Sequence, residues 1–93
     1  MFFPVSSVFI SVHINGSVAT PTVGQNYSLT CIVSGARVTS YQWWKDGTVL
    51  SVTAPILSLS PIGLSDAGQY SCNVTVDGVV YSDDENVVIS SRR

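Results

Sequence analysis

The chain has 93 residues, a net charge of -2 and 11% charged residues, enough for one domain and too few for two. One Lys and three Arg exclude phosphate-backbone binding, which needs many cations, so no nucleic-acid partner is expected. No apolar run reaches the roughly 18 residues of a spanning helix, so no direct membrane insertion of this segment is expected.

With so few charges, solubility must come from Ser, Thr and Asn, a profile that suits an extracellular β-protein. A core this small also gains from a covalent staple. The opening, Met1-Phe2-Phe3-Pro4-Val5-Ser6-Ser7-Val8-Phe9-Ile10, is apolar but lacks the positive flank and length of a secretory signal. Residues 1–7 read as a lead-in or cloning remnant, 8–90 as a single domain and 91–93 as a linker or cut end. The expectation is a module from a longer chain.

Period-2 alternation recurs throughout, and no helical stripe longer than a turn appears. Val8, Ile10, Val12 and Ile14 alternate with Phe9, Ser11 and His13, a first strand ending at Asn15-Gly16. Pro21 and Gly24 punctuate the next stretch, which predicts a kinked edge strand. Tyr27, Leu29, Cys31 and Val33 then alternate with Ser28, Thr30 and Ile32, a half-buried strand with Cys31 inward. After a loop at Ser34-Gly35-Ala36-Arg37, Tyr41 and Trp43 share one face of a strand, and Gln42 and Trp44 share the other. Lys45-Asp46-Gly47-Thr48 is a hairpin signal.

Short strands are expected over 49–52 and over 56–60, the latter with Leu57 and Leu59 inward. Residues 61–67 carry the chain across the end of the fold. Tyr70, Cys72, Val74 and Val76 line one face of the next strand, and Ser71, Asn73 and Thr75 the other. Asp77-Gly78 fits a two-residue turn into a last strand running from Val79 to near Ile89. Unbroken alternation there would point Asp83 and Glu85 at the core with Tyr81, which is costly for unpaired carboxylates. The expectation is therefore a bulge or splayed segment across Asp83-Asp84-Glu85.

Cys31 and Cys72 could be free, metal-bound or paired. Two cysteines and the single His13 make a poor zinc set. Three N-x-Ser/Thr sequons, at Asn15, Asn26 and Asn73, none blocked by proline, point to secretion. The bland alternative is chance matching in a Ser/Thr-rich strand protein.

Taken together, several motifs resemble immunoglobulin-like domains over about residues 8–90. Val23-Gly24-Gln25 with Leu29 and Cys31 is similar to the family's lead-in to its first cysteine. Trp43-Trp44-Lys45-Asp46-Gly47 is similar to its core tryptophan run, and Leu57, Leu59 and Ile62 precede Asp66-x-Gly68-x-Tyr70-x-Cys72 at the family's spacing. The resemblance implies an all-β, two-sheet antiparallel Greek-key sandwich with one inter-sheet disulfide, Cys31 to Cys72, packed under Trp43. In the chain-entropy model such a closure stabilises the fold by about 4 kcal/mol, and it implies an oxidising compartment.

The resemblance also implies a tyrosine corner at Tyr70, a side-chain-averse conformation at Gly68 and a turn cap at Asp66. Arginine is missing between Trp44 and Asp66, so the arginine–aspartate pair of many variable-type domains is not expected. The short Cys-to-Cys spacing favours the intermediate or C2-like sets.

No enzyme is legible. Ser65-Asp66 and His13 form no triad, there is no glycine-rich phosphate loop, and no cofactor is called for. Asp83-Asp84-Glu85 lacks EF-hand spacing, so an ordinary acidic edge is the preferred reading over a Ca²⁺ site. The resemblance implies a protein-recognition or adhesion module of a larger, membrane-anchored cell-surface receptor, with hetero- or homophilic protein partners. The candidate surface is the outer face carrying Trp44, Gln42, Ser71 and Thr75; the alternative is a half-covered Trp44 that serves only as a lid on the sheet, and a glycan at Asn73, on that same face, would obstruct flat docking. Alternatives are a passive spacer in a tandem array, or an ectodomain module of a receptor tyrosine kinase whose catalytic part lies outside this chain. The Asp77-Gly78 connection is too short for an antibody-like third loop.

Overall fold

The computed structural model describes residues 10–91. The expected lead-in (1–7), the expected strand start at Val8 and Phe9, and residues 92–93 of the expected end lie outside them. Seven strands run in chain order: β1 (Ser11–Gly16), β2 (Ser28–Ser34), β3 (Ser40–Lys45), β4 (Thr48–Val49), β5 (Ile56–Ser58), β6 (Gly68–Val76) and β7 (Val79–Val87). A 3₁₀ turn, Leu64–Asp66, lies between β5 and β6.

The strands form two antiparallel sheets, β1-β2-β5 and β4-β3-β6-β7. The chain changes sheet between β2 and β3, returns between β4 and β5, and crosses again before β6, the Greek-key path. Alternation explains why these segments pair. Leu29 and Cys31 of β2, Trp43 of β3, Leu57 of β5 and Tyr70, Cys72 and Val74 of β6 all point into one buried cluster. Each fully buried large side chain of this kind contributes about 1.5–3 kcal/mol of apolar transfer. No polar or charged side chain is buried among the described residues.

Both tight hairpins are built from Asp-Gly. Asp46 and Gly47 turn β3 into β4 with φ of 50° and 84°, and Asp77 and Gly78 turn β6 into β7 with φ of 49° and 80°. Positive φ at both central residues matches the right-handed twist of the flanking strands.

Three expectations need correction. The kinked edge strand around Pro21 and Gly24 reduces to a single parallel bridge, Thr22 to Ser90, because the buried Pro21 has no N–H for a ladder. The strand expected over 49–52 is only Thr48–Val49, since the chain leaves the β3 edge to reach β5 in the other sheet. The bulge at Asp83-Asp84-Glu85 is absent: β7 pairs with β6 without a break from Val76↔Val79 to Gly68↔Val87. The carboxylates need no bulge because β7 is an edge strand, and its inner face opens onto the seam with β1 rather than onto sealed core.

Candidate functional site

Cys31 and Cys72 are bonded across the two sheets, with Cα atoms 6.4 Å apart. Trp43 lies directly across the ladder from Cys72 and is fully buried. Its indole N–H donates to the Ala54 carbonyl at 2.8 Å, so the ring enters the core without orphaning its polar edge.

Tyr70 is equally buried, and its hydroxyl donates to the Asp66 carbonyl at 2.6 Å. Burial first, then the Asp66 and Asp46 carboxylates nearby, push the phenol up to about 12. The Asp66 carboxylate accepts from Gly63 N–H at 2.8 Å, closing the turn before β6. Leu59 is half-buried against the same cluster.

Gly68 has a φ of 149°, and a Cβ built there would stand 2.7 Å from Asp46 Oδ2. Asp46 is the residue that sequence reasoning missed. Beyond turning the hairpin, its carboxylate accepts from Gln69 N–H and from Lys45 Nζ, both at 3.0 Å. Those two donors hold its carboxyl below the usual range. Lys45 in turn sits 5.9 Å from the centre of the Tyr70 ring, within cation–π range. The Lys-Asp-Gly run signals a turn; nothing in it announces that β6 will pass beneath the aspartate.

The outer face of the four-stranded sheet assembles the other predicted residues. Cross-strand pairs bring Trp44 beside Ser71 and Gln42 beside Asn73, with Ser40 beside Thr75 one step further. Trp44 is half-buried, and its indole N–H is shielded from solvent with no acceptor among the described residues. The Ser71 hydroxyl donates to Asp84 Oδ1 at 2.7 Å. Gln42 is exposed, and Thr75 and Asn73 are half-buried. Asn15, on β1, and Asn26, before β2, are exposed on the side of the three-stranded sheet.

Asp83 faces the seam and accepts from the Ile14 backbone N–H at 2.9 Å, with His13 Nδ1 4.0 Å away. Asp84 turns to the outer face. The three acidic residues therefore do not converge, and no group of three potential metal-binding side chains forms among the described residues. No helix among them is long and apolar enough to cross a membrane. The arrangement offers shape, hydrogen bonds and an aromatic surface.

Comparison with known proteins agrees with this geometry. The model of the family described as "Immunoglobulin domain" matches residues 10–75. The advanced glycosylation end product-specific receptor of Homo sapiens is 36% identical over 73 residues, covering 77% of this chain and 18% of the receptor. The platelet-derived growth factor receptor beta of Mus musculus is 31% identical over 96 residues, covering 87% of this chain and 9% of the receptor. The chain thus spans less than a fifth of the length of these relatives.

Among solved structures, the N-terminal four immunoglobulin domains of Dscam1 isoform 4.44 superpose with a TM-score of 0.76 at 23% identity, over 87% of this chain and 21% of that one. The mouse nectin-like molecule 4 ectodomain gives a TM-score of 0.75 at 22% identity, over 86% and 30%. At those identities the likeness concerns the fold. The chain belongs to the immunoglobulin domain family.

Proposed function

We propose that this immunoglobulin domain is an extracellular, non-catalytic recognition module of a larger cell-surface receptor. It docks a protein partner on the outer face of the four-stranded sheet around Trp44, with Gln42, Ser71 and Thr75 beside it. Trp44 carries the reading. The core already has its tryptophan in Trp43. Trp44 adds a half-buried indole on the solvent side of a central strand, and its shielded N–H, which meets no acceptor among the described residues, is a cost to the fold of about 1–3 kcal/mol. A smaller aromatic would avoid that cost. Tryptophan is the residue type most enriched at interface centres.

The disulfide supports an oxidising compartment, and relatives that are receptors by name support a receptor setting. The alternative reading, an ectodomain module of a receptor tyrosine kinase whose catalytic part lies outside this chain, stands beside it, and a growth factor receptor by name is among the relatives. Gene sequence beyond Arg93 tests that point: a membrane span followed by a kinase supports it, and a span followed by no enzyme removes it.

Two measurements test the surface. Sedimentation of the 93-residue chain over a range of concentrations reads homophilic association. A fluorescent tetramer of the chain, applied to a panel of animal cell lines, reads heterophilic binding. In whichever assay binding occurs, Trp44→Ala should abolish it and His13→Ala, on the opposite sheet, should not. Equal binding by the Trp44 variant removes this face as the site.

A further inference from the structure

Beside Trp44, the same sheet carries a groove of about 330 Å³ lined by Ser40, Gln42, Thr53, Asn73, Thr75 and Val80, with Tyr41 at its wall. That volume is at the lower end of small-ligand sites, about 300 Å³. The lining is neutral. Hydroxyls and carboxamides surround one aliphatic side chain, Val80, which is 61% exposed and directly opposite Thr75 in the ladder. With no Lys, Arg, Asp or Glu in the lining, a charged ligand finds no counter-charge. Neutral donors and acceptors around a small apolar spot suit a neutral polyhydroxylated ring, which offers hydroxyls at its rim and C–H groups on its face.

Such a ring has a covalent way in. Asn73 and Thr75 are the two recognised positions of one sequon, Asn73-Val74-Thr75. Because side chains alternate across a strand, both lie on the outer face, and both line the groove. We propose that Asn73 bears an N-linked glycan whose first sugar residues lie in this groove and cover Val80. In the transfer, the Asn73 carboxamide nitrogen bonds to the anomeric carbon of an oligosaccharide carried on a polyprenyl pyrophosphate. The bond from that carbon to the pyrophosphate oxygen breaks, the pyrophosphate leaves with the electron pair, and the amide gives up one proton.

Attachment precedes folding, because in the finished sheet Asn73 is half-buried between Gln42 of β3 and Ser82 of β7. Asn15 and Asn26 also stand in sequons and are open to modification, but neither lines this groove. Trp44 lies two residues along β3 from Gln42, and Gln42 and Thr75 belong both to the groove and to the proposed docking face, so a glycan seated here leaves a protein partner the Trp44 and Ser71 end of the sheet. That last consequence rests on the recognition reading; the glycan itself does not.

The test uses the 93-residue chain secreted from a eukaryotic host, with peptide mass mapping and NMR of the glycosylated protein. Asn73 should be occupied in the wild type and in Thr75→Ser, and unmodified in Thr75→Ala and Asn73→Gln. Nuclear Overhauser contacts should join the N-acetyl methyl of the first sugar to the Val80 methyls. Losing the glycan through Asn73→Gln should lower Tm by about 4 °C or more, and by less in a Val80→Ser background. An empty Asn73 overturns the proposal. So does an occupied Asn73 whose sugar makes no contact with Val80. Neither readout involves a protein partner, so failure of the docking reading leaves this result standing, and the reverse.

Discussion

The carboxylate of Asp83, on the last strand of one sheet, accepts the backbone N–H of Ile14, on the first strand of the other, at 2.9 Å. Ile14 pairs with Cys31 in its own sheet, and as a residue of the edge strand β1 it presents its N–H outward. The aspartate caps that edge and fastens the seam between sheets. Asp83→Ala should destabilise the domain by about 1.5–2 kcal/mol, the worth of a hydrogen bond to a charged acceptor. Asp83→Asn, which keeps a carbonyl oxygen, should restore part of the loss. Urea unfolding of the three proteins checks this, and amide exchange at Ile14 should accelerate in the alanine variant.

Tyr70 contributes to the alkaline limit of stability, with Tyr27 shifted the same way by burial first and Glu85 second. The Tyr70 phenol is pushed up from the ordinary tyrosine value of 10.0 to about 12 by burial and neighbouring carboxylates. The folded state therefore holds a proton that the unfolded chain has released. This stabilisation is complete below pH 10 and is lost as pH rises through 12. Wild-type stability should fall over that window, and Tyr70→Phe should flatten the fall. The same variant should cost about 1 kcal/mol at neutral pH through loss of the bond to Asp66. Denaturant midpoints measured from pH 7 to 12 provide the check.

Asp46 acts at the acid end with the opposite sign. Its carboxyl is held below the ordinary aspartate range by the Gln69 N–H first and Lys45 second. The contribution is present above about pH 4 and disappears as pH falls through the lowered folded value. Asp46→Asn should show a shallower loss of stability between pH 5 and 2, read by thermal melts across that range.

Gly68 and Asp46 should be energetically coupled. Gly68→Ala sets a Cβ against the Asp46 carboxylate and strains a backbone of φ 149°, so a loss of about 1–3 kcal/mol is expected. In an Asp46→Ala background the clash is gone and only the backbone strain remains. A double-mutant cycle by urea unfolding should return a coupling of about 0.5 kcal/mol or more.

Trp44→Phe should leave stability unchanged or raise it by up to about 1 kcal/mol, because the orphaned indole N–H is removed. Trp43→Phe, which loses the bond to Ala54 and core volume, should cost about 2–3 kcal/mol. Paired thermal melts separate the two tryptophans directly.

Much of this molecule is legible from residue order, because its determinants are local. Alternation places Leu29, Cys31, Trp43, Tyr70 and Cys72 on inner faces wherever a strand forms, and Asp-Gly at 46–47 and 77–78 admits the positive φ that a two-residue hairpin needs. Those features depend on neighbours one to four positions away. What alternation could not decide is how each strand is flanked. Unbroken alternation points Asp83 inward, but only the sheet order makes inward mean the β1 seam rather than sealed core, and so removes the need for a bulge. The task of Asp46 against Gly68, and the gathering of Asn73, Thr75, Thr53 and Val80 around one groove, are set by cross-strand contact between distant segments. A chain of alternating side chains carries its own faces in its order; which residues stand opposite those faces is decided when sheets pair and pack, because hydrogen-bond ladders and burial join residues that the sequence keeps apart.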